Sequence, residues 1–254
     1  MAQESSTITR RGLIGRLHYW WSLFVAGALL TILAPPILVF SWLVNKHDLV
    51  YPWALFGARQ WLRLSAVHVK VRGLELLDPK QPYVFVSNHR SYLDTAALFA
   101  YTGRRIGILA KKELLKVPIL GVGMGFVNVV AIDRTNRESA IRTTEAAARR
   151  IKSGVSFGVF VEGTRALPGE LLPFKKGAFY MARQTGVPIV PIAIKNSDVL
   201  MGKGTGEAQP GTIEMVLLPP IDSVNRTSDE DIDRLIAETH DVIAAELGHK
   251  KAQK

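Results

Sequence analysis

Cysteine is absent from the 254 residues, which excludes a disulfide, a thiol nucleophile and any Cys-ligated metal. That absence is compatible with a reducing compartment. Internal repeats, low-complexity linkers and metal-ligand spacings are also missing, so no metal site is expected. Acid is scarce beside base, 22 Asp and Glu against 32 Lys and Arg, and the formal net charge is +10 with a pI near 9.9. A charge of that size suits an anionic partner, whether nucleic acid, anionic lipid or a phosphorylated substrate, and composition alone does not choose among them. The most informative deficit is local. From Tyr19 to Val44 there is no charged residue at all.

What fills that gap is apolar and aromatic: Trp20, Trp21, Phe24, Leu29, Leu30, Ile32, Leu33, Ile37, Leu38, Val39, Phe40 and Trp42. By hydropathy this is a membrane-embedded segment. Arg10, Arg11 and Arg16 before it resemble the start of a signal peptide, but no small-residue cleavage pattern follows. Pro35 and Pro36 remove two helix donors, and Leu17 to Ala34 would extend only about 27 Å at 1.5 Å per residue, short of a hydrocarbon core of about 30 Å. Basic residues flank the run on both sides, which favours both flanks on the cytoplasmic face. A helical hairpin broken at Pro35-Pro36 and dipping into one leaflet satisfies both observations, with a single span as the alternative. A second stretch, Tyr51 to Leu64, carries Trp53, Phe56 and Trp61 with Arg59 and Arg63, as does a helix lying in the interface. Residues 1–68 are therefore expected to form a membrane-associating helical region, and residues 69–254 the main domain.

After Val69 short apolar runs alternate with amphipathic segments, the α/β pattern. Strands are expected near Tyr83 to Ser87, Ile106 to Ala110, Val127 to Ile132, Phe157 to Val161, Ile189 to Ile194 and Thr212 to Leu217. Ala140, Ile141, Thr144, Ala147, Ala148 and Ile151 recur at helical spacing before Gly154, and a last helix follows Thr227-Ser228.

The apolar run Val84-Phe85-Val86 ends in Ser87-Asn88-His89-Arg90-Ser91-Tyr92-Leu93-Asp94. The carboxyl end of a strand in an open α/β sheet is where ligands and catalytic groups collect. Ser91 and Asp94 match a helix capping box, so one reading is that Asp94 only caps and His89 is only a loop histidine. In the other, His89 is a general base oriented by Asp94, acting on a hydroxyl that belongs to the substrate. Five residues along a continuous helix turn two side chains roughly 140° apart, so the pair meets only if His89 precedes the helix. Other strands also end in polar, often cationic clusters: Lys111-Lys112-Glu113, Asp133-Arg134 and Glu162-Gly163-Thr164-Arg165. Arg134 and Arg165, with a lysine such as Lys111, suit a phosphate clamp that the backbone donors of Gly163 and Thr164 approach closely.

Four blocks occur in the order of the four motifs of the glycerolipid acyltransferases: Asn88-His89 with Asp94, Val130-Ala131-Ile132-Asp133-Arg134, Phe160-Val161-Glu162-Gly163-Thr164-Arg165, and Val187-Pro188-Ile189-Val190-Pro191. Over about Val69 to Leu218 the chain resembles the 1-acyl-sn-glycerol-3-phosphate (lysophosphatidic acid) acyltransferases. It departs where Ala131 stands for a frequent Phe and Val161 for a usual Pro. The resemblance implies a mixed sheet flanked by helices. His89 would deprotonate the sn-2 hydroxyl of lysophosphatidic acid, Asp94 would hold it, and the acyl group would come from acyl-CoA or acyl-carrier protein. Glu162 is expected to bind the acceptor or fix Arg165. Arg134 and Arg165 are expected on the acceptor phosphate, with Lys111 as a further candidate. No cofactor and no nucleic acid are implied; the partners are membrane lipids, and the location is the cytoplasmic or inner membrane with the catalytic domain on the cytoplasmic face. Two other readings compete. One is a related acyltransferase using glycerol 3-phosphate, a lysophospholipid or an amino-acid lipid; the other is a non-enzymatic protein binding anionic lipid.

Overall fold

A computed structural model describes residues 2–132, 137–226 and 228–249. In chain order the elements are α1 (Ala2–Leu43), α2 (Val50–Leu64), β1 (Val67–Arg72), β2 (Val84–Ser87), α3 (Leu93–Tyr101), β3 (Ile106–Lys111), α4 (Leu120–Phe126) and β4 (Val129–Ile132). Then follow α5 (Arg137–Lys152), β5 (Ser156–Phe160), α6 (Gly177–Thr185), β6 (Ile189–Lys195), α7 (Ser197–Met201), β7 (Gly211–Leu217) and α8 (Asp229–Glu246). Short 3-10 turns at His47–Leu49, Leu74–Leu76 and Lys112–Lys116 join some of them.

The strands form one mixed sheet in the order β1-β7-β6-β2-β5-β3-β4. β6, β2, β5, β3 and β4 run parallel, while β7 is antiparallel to β6 and carries β1 parallel beside it. A parallel strand is covered on both faces and so reads as an apolar run rather than an alternation. Every residue of β2 is buried. Alternate side chains serve two cores. Phe85, Val190, Ile192 and Ile194 pack with Leu62 of α2 and Leu93, Ala97 and Leu98 of α3. Val84, Val86, Ile189 and Ala193 pack with Ala147, Ala148 and Ile151 of α5, Phe179 and Ala182 of α6, and Ile232, Leu235 and Ile243 of α8. The result is helix, sheet and helix in three layers.

Three expectations change. β1 precedes the change of pattern at Val69 and straddles the expected domain boundary. Its Val67, Val69 and Val71 alternate with His68, Lys70 and Arg72, and it pairs with β7 over Val67↔Gly211 to Arg72↔Val216. The prolines do not break the first helix: Pro35 and Pro36 lie inside α1. The turns on either side of them are held by packing, which outweighs the lost donors. Tyr19 and Leu23 pack on the main core, and Ile37 and Leu38 pack on Val50, Tyr51 and Val127. A helical hairpin does form, but it reverses after Val44, where Asn45 takes a positive φ of 52°, and α2 returns along α1. Finally, the capping box at Ser91 is only half made. Asp94 accepts from Ser91 N, but Ser91 Oγ donates to Met201 O instead of receiving Asp94 N. The full box sits at α8, where Ser228 Oγ accepts from Asp231 N and Asp231 accepts from Ser228 N.

α1 is fastened to the rest at its middle and near its C-terminal end. In its first half His18 Nε2 bonds Ser65 O at 2.9 Å, Trp21 Nε1 donates to Leu64 O, Ser22 Oγ meets Ser65 Oγ, and Trp61 Nε1 donates to Ser22 O. Near its end Ile37 and Leu38 close on the third core cluster. Its outward face is apolar, with Trp20, Phe24, Ile32, Val39, Phe40 and Trp42 exposed.

Candidate active site

Four parallel neighbours, β2, β5, β3 and β4, deliver their carboxyl ends to one edge of the sheet. His89 follows β2, Glu162 to Arg165 follow β5, and Lys111 closes β3. Arg134 follows β4 and lies outside the described residues. The strands that carry these clusters are neighbours in the sheet, about 4.8 Å per strand apart.

His89 leaves β2 before α3 begins, so it is free of the helix and folds back onto it. Its Nδ1 lies 2.9 Å from Asp94 Oδ2, and the ring is stacked on Phe160 with centroids 4.0 Å apart. Asp94 is fully buried. Besides His89 Nδ1, its Oδ2 accepts the backbone N–H groups of Arg90 and Ser91, each at 2.7 Å, while Oδ1 has no partner among the described residues. Three donors on one oxygen hold the carboxylate in a single orientation. Because Nδ1 faces a carboxylate, that nitrogen carries the proton and the lone pair is left on Nε2. The ring retains 15% of its side-chain exposure, enough for a substrate group to reach it.

The loop around His89 is clamped from several sides. Asn88 exchanges two bonds with the backbone of Ile194 on β6, at 2.9 and 2.8 Å. Ala166 N donates to His89 O at 2.7 Å. Glu162 does not bind Arg165. Its Oε1 accepts His89 N and its Oε2 accepts Leu172 N, both at 2.7 Å. Burial raises its pKa, and the N–H groups of Leu172 and His89 oppose the rise. Glu162 is therefore a brace tying the loop after β5 to the His89 loop. Gly163 turns at a φ of +72° with its α-carbon against Lys175, a left-handed turn that glycine takes without strain. Thr164 is exposed next to it.

Arg165 lies 3.7 Å above the Tyr92 ring and pairs with no carboxylate among the described residues. Its flat face is held by an aromatic while its N–H edge keeps its charge for a ligand. Lys111 lies two strands from β2 and is paired with Glu113 at 3.5 Å on an exposed surface. The structure thus brings His89, Asp94, Glu162 and Arg165 together and leaves Lys111 at the rim. Sequence reasoning missed Arg90. Its guanidinium is buried and bonds Glu170 O at 2.7 Å, Asp198 Oδ2 at 3.3 Å and His249 Nε2 at 2.9 Å, joining the catalytic loop to three other segments. No local signal marks it, because every partner is distant in sequence.

A buried carboxylate orienting a histidine at the parallel edge, with an arginine one strand away, defines a group-transfer site of the acyltransferase kind. The acyltransferase family model matches residues 68–195, half of the chain. An uncharacterised acyltransferase of Schizosaccharomyces pombe is 42% identical over 173 residues, 67% of this chain and 62% of that one. The 1-acyl-sn-glycerol-3-phosphate acyltransferase of Limnanthes douglasii is 34% identical over 201 residues, 78% of this chain and 69% of its own. The crystal structure of the 1-acyl-sn-glycerophosphate (LPA) acyltransferase PlsC of Thermotoga maritima superposes with a TM-score of 0.80 at 25% identity, covering 96% of this chain and all of that one. The chain belongs to the acyltransferase family that includes the 1-acyl-sn-glycerol-3-phosphate acyltransferases. It spans about three fifths of the length of the S. pombe and mouse relatives, 62% and 59%.

Proposed function

We propose that the chain is an O-acyltransferase that moves a fatty acyl group from the thioester of acyl-CoA or acyl-carrier protein to the sn-2 hydroxyl of lysophosphatidic acid, giving phosphatidic acid. The observation that carries this reading is the 2.9 Å contact between His89 Nδ1 and the buried Asp94, which leaves Nε2 as the base. The hydroxyl gives its proton to His89 Nε2 as its oxygen bonds to the thioester carbonyl carbon. The tetrahedral intermediate collapses, the C–S bond breaks, and the departing thiolate takes the proton back from the imidazolium. Asp94 stabilises the imidazolium between these steps. No acyl-enzyme is required, and with no cysteine in the chain a thiol-linked one is excluded. Arg165 is assigned to the acceptor phosphate, with Arg134 and Lys111 as further candidates. Glu162, with both oxygens on backbone N–H groups, acts by positioning the His89 loop.

The apolar N-terminal helix supports a membrane-bound enzyme, as lipid substrates require. A helix fastened to the rest of the chain at its middle and near its C-terminal end favours a hairpin seated in one leaflet over a single span. The flanking basic residues favour the cytoplasmic leaflet. The test is acyl transfer by membranes containing the full chain, with labelled lysophosphatidic acid and acyl-CoA. Phosphatidic acid should form with the wild type and not with His89→Ala. Transfer to another acceptor only would retain the mechanism and overturn the substrate.

A further inference from the structure

Beyond the hairpin, a second surface exposes several large apolar side chains close together. It lies between β3 and α4, in the run Lys111-Lys112-Glu113-Leu114-Leu115-Lys116-Val117-Pro118-Ile119-Leu120-Gly121-Val122. Leu114, Leu115, Val117 and Val122 are between 39% and 63% exposed. A lone exposed leucine is ordinary, but four such residues within nine positions form a patch of the kind that marks an interaction surface. The segment is also held in shape. Ile119 adopts a φ of +65°, which a β-branched residue rarely accepts, and the α-carbon of Gly121 is packed against the Leu115 carbonyl. Leu115 and Val122, on either side of that turn, are 51% and 63% exposed.

The charge pattern says what covers the patch. Three lysines, Lys111, Lys112 and Lys116, alternate with the apolar residues, and the one acid, Glu113, is paired with Lys111. Apolar residues set among lysines match the boundary between acyl chains and anionic headgroups. The position fits as well. At its far end the segment runs into Phe126 and Val127, which pack on Ile37, Leu38, Val50 and Tyr51 of the hairpin, and His47 meets the Phe126 ring at 4.9 Å. At its near end Lys111 lies on the catalytic edge. The patch thus connects the apolar outer face of the hairpin with the rim of the active site.

We infer that Lys111 to Val122 is a second membrane contact, seating its leucines and valines in an anionic leaflet with its lysines among the phosphates. The inference rests on the membrane-bound reading above and adds to it the element that brings the rim of the site onto the lipid. An acidic carrier protein is the competing occupant, and the extent of exposed apolar surface favours lipid.

Because the chain has no cysteine, single labels are clean. Leu115→Cys, Val122→Cys, Trp53→Cys on α2 and Ala237→Cys on α8 are each labelled with a polarity-sensitive dye in the full-length protein. The labelled proteins are mixed with phosphatidylcholine vesicles containing phosphatidylglycerol and nitroxide-tailed lipid. Labels at 115, 122 and 53 should shift to the blue and be quenched, while the label at 237 stays in water. Lys116→Gln should lower the immersed-to-exposed ratio at 115 about fivefold, the effect of about one basic residue near such a surface. If 53 is immersed and 115 and 122 remain in water, the inference falls and the membrane-bound reading stands. If 53 also remains in water, that reading falls and takes the inference with it. Shielding of 115 by acyl-carrier protein in the absence of vesicles would assign the patch to a protein instead.

Discussion

Replacing Asp94 in two ways separates its two roles. Its Oδ2 serves His89 Nδ1 and the N–H groups of Arg90 and Ser91. In Asp94→Asn the amide oxygen can still take both backbone donors, so the loop and the start of α3 keep their bonds. The amide nitrogen takes the place of Oδ1, which has no partner among the described residues, so the contact at Nδ1 is kept while the negative charge that stabilises the imidazolium is lost. Loss of an orienting carboxylate in this manner lowers kcat by about 10^3 to 10^4, or about 4 to 5 kcal/mol in the barrier. In Asp94→Ala both buried N–H groups lose their acceptor, at about 1–3 kcal/mol each, so about 2–6 kcal/mol of stability should go as well. Against a typical total of about 5–15 kcal/mol, that is enough to shift a urea midpoint plainly. The assays are acyl transfer and urea denaturation on the same preparations. Asn should be stable and inactive, Ala unstable and inactive. An Asn variant retaining more than about a tenth of the activity would refute the argument and leave Asp94 as a structural cap.

Arg165→Ala should raise the acceptor KM about 10- to 100-fold, the loss of one charge-assisted contact of about 1.5–3 kcal/mol; an equal loss with an acceptor lacking phosphate would remove Arg165 from phosphate binding. Glu162 has its pKa raised by burial, so the folded chain holds that proton to higher pH than the unfolded chain, in which a glutamate titrates near ~4.3. Its contribution is full below that value and is lost as pH rises through the folded one. The difference in urea midpoint, wild type minus Glu162→Gln, should accordingly fall as pH rises from about 4, and a difference that grows would contradict the assignment. Arg90→Met leaves Asp198 buried with Gly169 N but without its cation, and should cost about 3–5 kcal/mol, much of it recovered by adding Asp198→Leu. A loss below about 1 kcal/mol would show that the three bonds of Arg90 carry little.

What could be read from the sequence depended on how far apart the partners lie. His89 and Asp94 are five residues apart and meet through one turn of local chain, so strand-end logic and a capping signature were enough to pair them. The fully buried strands β2, β5 and β6 announced themselves as apolar runs because both of their faces are covered. β1 carried a strict alternation, yet it sits at the sheet edge against β7, far along the chain, and it did not stand out as a strand because the expected boundary at residues 68 and 69 cut through it. Pro35-Pro36 misled because a local rule about donors was set against tertiary packing at Ile37 and Leu38, which prevailed. The work of Glu162 was hidden for a different reason. Its partners are the backbone N–H groups of His89 and Leu172, and backbone groups have no identity in a sequence. The same holds for Arg90, whose partners lie in three separate segments.

The joint between α1 and the catalytic layer has a consequence for how such a molecule meets its medium. Ser22 touches both Ser65 and the Met201 sulfur, Met201 O receives Ser91 Oγ, and Ser91 N rests on the carboxylate that holds His89. From the greasy helix to the base this path takes only a few links. A tethered enzyme would bob above its bilayer and sample many depths. This one is built like a carpenter's marking gauge, with the fence and the scribing point on a single stock. With the hairpin seated in a leaflet as proposed, the distance from lipid plane to Nε2 is set by the fold, and the thickness and packing of the bilayer become variables to which turnover answers.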